Sequence, residues 1–157
     1  MRVLFVCMGN ICRSPLAEGV FKRRVAEAGL SERIASDSAG THGYHIGEPP
    51  DLRAQKAAQR RGYDIGSLRA RQVTRQDFGE FDYVLAMDET NRRLLARLCP
   101  EREAYKLKLL MEFHADPDAR EVPDPYYGGE QGFETVLDLV EEAARGLLSH
   151  LRSQLAR

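Results

Sequence analysis

The fold is decided by residues 3–15, which read VLFVCMGNICRSP. The first four are apolar, as is typical of a strand buried on both faces of a parallel sheet. Pro15 lacks an N–H and has its φ preset near the helical value, so it fits the first turn of a helix. The loop between the strand and the helix therefore directs several backbone N–H groups toward one spot, and this spot lies at the positive end of the helix dipole. Such a loop is a ready binding site for an anion.

The side chains of this loop carry the chemistry of an attack on a phosphate ester. Cys7 ends the strand, where the positive field favours a thiolate, and the planar fork of Arg13 matches two phosphate oxygens. Gly9 and Asn10 tolerate backbone angles that other residues resist, and Ser14 is placed to donate to the sulfur. A cysteine ending a buried strand is often only a small hydrophobe. The combination nevertheless predicts a nucleophile beside a phosphate site.

Residues 122–129, VPDPYYGG, supply the second half of this chemistry. Asp124 lies between two prolines in a loop and is the best candidate for the acid that protonates a departing oxygen. Tyr126 and Tyr127 make good walls for an aromatic substrate. The alternative is an Asx turn at Asp124 with tyrosines on the surface, but the presence of the Cys7 loop favours the acid.

Both segments resemble those of the low-molecular-weight protein tyrosine phosphatases, and the resemblance runs over essentially the whole chain. The other stretches that carry it are residues 37–41 (DSAGT), 43–47 (GYHIG), 49–51 (PPD), 70–72 (ARQ), 77–78 (DF) and 81–89 (FDYVLAMDE). The resemblance implies hydrolysis of phosphotyrosine through a phosphocysteine on Cys7, with Arg13 binding the phosphate and Asp124 acting as general acid and then base. It implies no metal and no cofactor.

The same resemblance implies roles for the surrounding residues. Phosphate binding and loop support fall to Met8, Gly9, Asn10, Ile11, Cys12, Ser14 and Ser38, and the substrate cleft to Tyr44, Tyr126 and Tyr127. Members of the family often carry a histidine just before the ARQ stretch, in the network that supports the loop. Leu68 stands there in this chain, so we expect a trimmed or rebuilt network. Cys12, in the same tight loop as Cys7, is a candidate partner for a protective disulfide.

The alternation of strand and helix patterns predicts an α/β domain with a parallel sheet and helices on both faces. The predicted later strands are residues 33–38, 82–87 and 105–110, and the predicted later helices are residues 50–61, 88–98 and 133–155. The resemblance implies the same four-stranded, flavodoxin-like fold, with residues 1–157 as a single phosphatase domain.

Three alternatives stay open. Arsenate reductases that share this loop need two further cysteines after the third strand, and only Cys99 lies in that half. Phosphoarginine hydrolases usually carry threonine in place of Ile11 and lack the paired tyrosines. A phosphopeptide-binding module without turnover would lack the nucleophile or the acid, and both Cys7 and Asp124 are present.

The amino-acid composition limits the classes of partner that this chain is expected to bind. The net charge is −1, from 23 basic and 24 acidic residues, which argues against nucleic acid or a membrane surface as the main partner. No Cys/His spacing matches a metal site. The amino terminus enters a strand at once, and a catalytic thiolate suits a reducing compartment, so we expect a cytoplasmic protein. The resemblance implies phosphotyrosine-containing protein substrates, a tyrosine kinase among the candidates, and a monomer or weak dimer.

Overall fold

The centre of the fold is a four-stranded parallel sheet, seen in a computed structural model that describes residues 1–157. Its strands are β1 (Arg2–Cys7), β2 (Ala35–Gly40), β3 (Tyr83–Ala86) and β4 (Leu107–Leu109), in the order β2-β1-β3-β4. β1 pairs along both of its edges, so residues 3–6 are all buried. Cys7 therefore lies at the carboxyl end of an inner strand, where sheets of this type bind ligands.

Helices connect the strands and cover both faces of the sheet. They are α1 (Arg13–Glu27), α2 (Leu52–Arg60), α3 (Asp77–Glu80), α4 (Glu89–Leu98) and α5 (Glu130–Leu155), with 3₁₀ turns at Glu101–Lys106 and Leu110–Phe113. The predicted fold class is therefore confirmed.

The observed α2, β3 and α4 lie within the predicted ranges and are one to three residues shorter, and larger differences occur at β2, β4 and α5. β2 covers residues 35–40 rather than 33–38, because Arg33 lies in the turn that follows α1. Tyr105 was predicted in the fourth strand but lies in a 3₁₀ turn, and only Leu107–Leu109 pair with β3. α5 begins at Glu130, one turn before the first residue of its apolar stripe.

Alternation along β1 divides the core between the two faces of the sheet. Val3 and Phe5 face the larger cluster, with residues of α1, α2 and the apolar stripe of α5. Leu4 and Val6 face a smaller cluster that includes Phe78. Since residues 3–7 of β1 all pack into one of these two clusters, the strand is fixed in position and holds Cys7 with it. No helix is both long enough and apolar enough to cross a membrane.

Candidate active site

The phosphate loop, defined as residues 7–14, joins the end of β1 to the first turn of α1. Asn10 has a φ of 59°, a left-handed conformation that its short polar side chain tolerates. The Ser14 Oγ lies 3.0 Å from the Cys7 Sγ and accepts a hydrogen bond of 2.8 Å from the Asn10 Nδ2. The Ser14 hydroxyl has two acceptors within reach, the sulfur at 3.0 Å and the Ala39 carbonyl at 3.5 Å, so its proton can point at the sulfur when Cys7 is a thiolate.

A buried hydrogen-bond network lies beneath the phosphate loop. The Asn10 Nδ2 also donates to the Ser38 Oγ at 3.0 Å, and Ser38 donates to the Glu18 Oε1 at 2.7 Å. The other carboxylate oxygen of Glu18 pairs with Lys22, whose side chain reaches solvent. The Asn10 Oδ1 accepts from the backbone N–H of Arg71 at 3.0 Å. Each polar atom of Asn10 is thus satisfied, and the loop conformation is held from below.

Arg71 joins three of the stretches that carried the resemblance. Its guanidinium donates to Asp37 and, through two nitrogens, to Asp77, each at 3.1 Å. Burial of Arg71 lowers its pKa, but these two carboxylates outweigh that effect and leave the pKa above its ordinary value. The ion-pair cluster fixes the backbone whose N–H reaches Asn10.

Leu68 stands at the position where the resemblance implies a histidine, and it contributes apolar contact. It is partly buried and packs against the larger core cluster. Ser38 nevertheless has a buried partner, because Glu18 accepts its proton directly. In this chain the network therefore ends at a carboxylate that is paired with Lys22.

Arg13 is almost fully buried, and one side of its guanidinium is fixed by the protein. Its Nη1 donates to the Asp88 Oδ2 at 2.6 Å and to the Val122 carbonyl at 2.9 Å, whereas its Nε and Nη2 make no hydrogen bond within the protein. Burial lowers the pKa of Arg13, but the negative charges of Cys7, Asp88 and Asp124 together raise it by more, so the pKa lies above its ordinary value. The guanidinium therefore stays charged and keeps two donors for an anion.

Asp124 belongs to the acid loop, defined as residues 122–129. Its Oδ1 accepts from the Tyr126 N–H at 3.0 Å, which is the Asx turn considered above as an alternative. Its Oδ2 lies 3.7 Å from the Arg13 Nη2, and its side chain is 34% exposed. The turn thus leaves one carboxylate oxygen directed toward the arginine.

These two loops border one cleft of about 210 Å³. Its lining consists of Cys7, Met8, Gly9, Ile11, Cys12, Arg13, Tyr44, His45, Asp124, Tyr126 and Tyr127. All three residues predicted to be catalytic and all three predicted wall tyrosines lie around this space. The other predicted site residues, Asn10, Ser14 and Ser38, lie beneath it, in the network under the phosphate loop.

Sequence reasoning missed three residues that contact the site. Asp88 was predicted only as the first residue of a helix; it caps α4 and also binds Arg13. Glu18 carries a signal that was overlooked, an acidic side chain among the apolar positions of α1. Arg53 lies against Tyr126 and has no signal in the sequence, because its contacts depend on the position of the distant acid loop.

The three cysteines are all free thiols. Burial raises the pKa of the Cys12 thiol, and the nearby charge of Asp51 raises it further. A disulfide between Cys7 and Cys12 stays a prediction. Cys99 does not line the cleft, and no cluster of three or more His, Cys, Asp or Glu side chains is arranged to hold a metal ion.

Comparisons with known proteins agree over almost the full length. The family model described as low molecular weight phosphotyrosine protein phosphatase matches residues 2–157. A low molecular weight protein-tyrosine-phosphatase of Streptomyces coelicolor is 47% identical, over 98% of this chain and 95% of that protein.

Solved structures share the fold of this chain over almost its full length. A protein tyrosine phosphatase from Entamoeba histolytica is 44% identical, with a TM-score of 0.95 over 98% of both chains. A Drosophila arginine phosphatase is 33% identical, with a TM-score of 0.88 over 96% of this chain and 98% of that one.

Proposed function

The chain belongs to the low molecular weight phosphotyrosine protein phosphatase family, and from this membership we propose how the residues of its cleft perform the reaction. It is an enzyme of the phosphotyrosine phosphatase class that acts on phosphoproteins. The assignment of steps to individual side chains is our proposal.

In the first step, the Cys7 thiolate attacks phosphorus in line with the departing tyrosine oxygen. The S–P bond forms as the P–O bond breaks, which produces phosphocysteine. The phosphate-loop N–H groups and the free Nε and Nη2 of Arg13 stabilise the oxygens that gain charge. Asp88 supports this role, because its bond to the Arg13 Nη1 fixes the plane of the guanidinium.

Asp124 supplies and later removes a proton. As an acid it protonates the leaving phenolate, whose conjugate acid has a pKa of about 10, so protonation assists the departure substantially. The resulting carboxylate then takes a proton from water as the water oxygen attacks phosphorus. The S–P bond breaks, inorganic phosphate forms and the Cys7 thiolate is regenerated. The Ser14 hydroxyl, 3.0 Å away, stabilises that departing sulfur.

Phosphotyrosine is the substrate that fits the walls of the cleft. Tyr44, Tyr126 and Tyr127 surround the opening with aromatic surface, which suits an aryl ring. The similarity to an arginine phosphatase makes phosphoarginine a second candidate. A direct comparison of kcat/KM for phosphotyrosine and phosphoarginine peptides of one sequence decides between them, and we expect phosphotyrosine to be preferred.

We propose cytoplasmic phosphotyrosine proteins as the physiological substrates, with a tyrosine kinase among the candidates, and a protein that is monomeric or weakly dimeric. The near-balanced charge and the free thiols support this assignment. Sedimentation and a phosphopeptide screen with a Cys7→Ser variant as the capture reagent test it.

The observation that carries the mechanism is the convergence of the Cys7 thiol, the Arg13 guanidinium and the Asp124 carboxylate around one cleft. The test is rapid acid quenching after mixing with ³²P-labelled phosphotyrosine peptide. We expect label on the protein that maps to Cys7. Turnover without a labelled protein at any quench time would contradict the covalent mechanism.

A further inference from the structure

We propose that Arg53 is a positioning residue that holds the acid loop over the cleft and thereby places Asp124 for proton transfer. This proposal rests on the proposed role of Asp124 as general acid. Arg53 belongs to α2 and does not line the cleft, so it acts through the loop rather than on the substrate.

The guanidinium of Arg53 is fixed in orientation by Asp51. Its Nε and Nη2 donate to the two oxygens of that carboxylate, at 3.0 and 2.9 Å, a bidentate pair with a defined plane. The backbone N–H of Asp51 donates to the Ile11 carbonyl at 2.8 Å. The arginine is therefore oriented by a residue that is itself tied to the phosphate loop.

The remaining face and edge of this guanidinium contact the acid loop and Phe133 of α5. Its Cζ lies 5.5 Å from the centre of the Tyr126 ring and 5.0 Å from that of Phe133, within the range of cation–π attraction. Its Nη1 donates to the Gly128 carbonyl at 3.4 Å. Arg53 thus bridges the phosphate loop and the far half of the acid loop.

Apart from Arg53, the acid loop has few polar ties to the rest of the protein, although its Pro125 is buried. Val122 is anchored by hydrogen bonds with Met87 and Arg13. Beyond it, the hydrogen bonds of residues 123–129 are internal or lead to the next turn, apart from the one donated by Arg53. The ion pair between Arg13 and Asp124 spans 3.7 Å. Removal of Arg53 therefore loosens residues 126–129, which are exposed and follow the buried Pro125.

Movement of Tyr126 is transmitted to Asp124 by a short path. The Tyr126 N–H donates to the Asp124 Oδ1, so the backbone at Tyr126 fixes the rotamer of the carboxylate. When Arg53 holds the Tyr126 ring, the Asp124 Oδ2 stays directed toward the cleft. The expected defect on loss of Arg53 is misplacement of the acid, with the nucleophile unchanged.

The experiment compares kcat/KM for phenyl phosphate, a poor leaving group, and p-nitrophenyl phosphate, an activated one. This quantity reports the step in which the leaving group departs. We expect Arg53→Ala to lower kcat/KM about tenfold for phenyl phosphate, the effect of losing one cation–π contact and one hydrogen bond. For p-nitrophenyl phosphate we expect a loss below about twofold, because its departure needs little protonation.

Two control variants separate positioning from general structure. Arg60→Ala removes another arginine of α2, which pairs with Glu134 on α5, and we expect it to leave both rates unchanged. In an Asp124→Ala background, Arg53→Ala should cause no further selective loss, because the acid it positions is already absent. Tyr126→Ala should reproduce the selective loss, and Tyr126→Phe, which keeps the ring, should not.

The outcomes distinguish this proposal from the proposed function. If Asp124→Ala shows the selective loss and Arg53→Ala lowers both substrates equally or neither, Arg53 is not a positioning residue and the mechanism stands. A selective effect of Arg53→Ala that persists without Asp124 also overturns the proposal. If Asp124→Ala itself shows no selectivity, the acid role fails, and the proposal for Arg53 fails with it.

Discussion

The two loops that border the cleft are built in opposite ways. The side chains of Cys7, Asn10, Arg13 and Ser14 are all buried, and a network that extends to Glu18 and Arg71 holds the phosphate loop from below. The acid loop lies largely on the surface, where Tyr127 is 93% exposed. Beyond the buried Pro125, its polar ties to the rest of the protein come mainly from Arg53.

This difference indicates a division of work. Attack on phosphorus needs sulfur, guanidinium and N–H groups in one fixed geometry, which buried and fully hydrogen-bonded side chains provide. Proton transfer to a leaving group needs an acid that can accommodate protein substrates of different shape. Changes to the phosphate loop should therefore slow all substrates alike, whereas changes to the acid loop should depend on the leaving group.

The largest effect is expected for Cys7→Ser, which removes the nucleophile from the buried phosphate loop. Hydrolysis of p-nitrophenyl phosphate should fall to the background rate, since a serine hydroxyl does not ionise as a thiol does and Asp124 acts as an acid, not as a base, in the attacking step. Wild type should keep full activity with a chelator present. Residual turnover in Cys7→Ser above a matched Cys99→Ser control would contradict the mechanism.

A smaller effect is expected for Asn10→Ala, which breaks the network beneath the phosphate loop. Alanine loses three hydrogen bonds and is strained at the φ of 59°. We expect kcat/KM to fall about 10–100-fold, by the same factor for phenyl and p-nitrophenyl phosphate. Asn10→Gly, which relieves the strain alone, should recover only part of the loss. A loss that depends strongly on the leaving group would contradict the proposal that changes to the phosphate loop slow all substrates alike.

Glu18→Ala should show that the hydrogen-bond network beneath the phosphate loop also stabilises the fold. It leaves the Ser38 hydroxyl without its acceptor and Lys22 without its partner. We expect the free energy of unfolding in urea to fall by about 2 kcal/mol. Arg53→Ala, at an exposed ion pair, should change it by less than about 1 kcal/mol. Equal losses for the two variants would indicate that the acid loop is as integral to the fold as the network.

The sequence predicted the fold well because its strongest signals are local. The apolar run of β1 and the stripe of α5 each appear within one continuous segment, as does Asp88 at the start of the predicted helix 88–98. The short helix α3 and the 3₁₀ turns were missed, since elements of four to six residues contain too little periodicity. β2 was misplaced because Arg33 and Ile34 resemble the start of a strand but close a turn.

The candidate site was predicted only in part for a related reason. Cys7, Arg13 and Asp124 lie in motifs with distinctive spacing, and the roles assigned to them stay predictions. Glu18 and Arg53 act through partners far away in the chain, which no local pattern reveals. Leu68 suggested a weakened network, and only three-dimensional contacts could show that Glu18 accepts directly from Ser38.

The most direct test of the division between the two loops is the leaving-group dependence of Asp124→Ala. We would measure kcat/KM for a series of aryl phosphates with wild type and with this variant. We expect a loss of about 10²–10³-fold for phenyl phosphate that shrinks steadily toward the most activated aryl group. An equal loss across the whole series would contradict it, because Asp124 would then not be the proton donor.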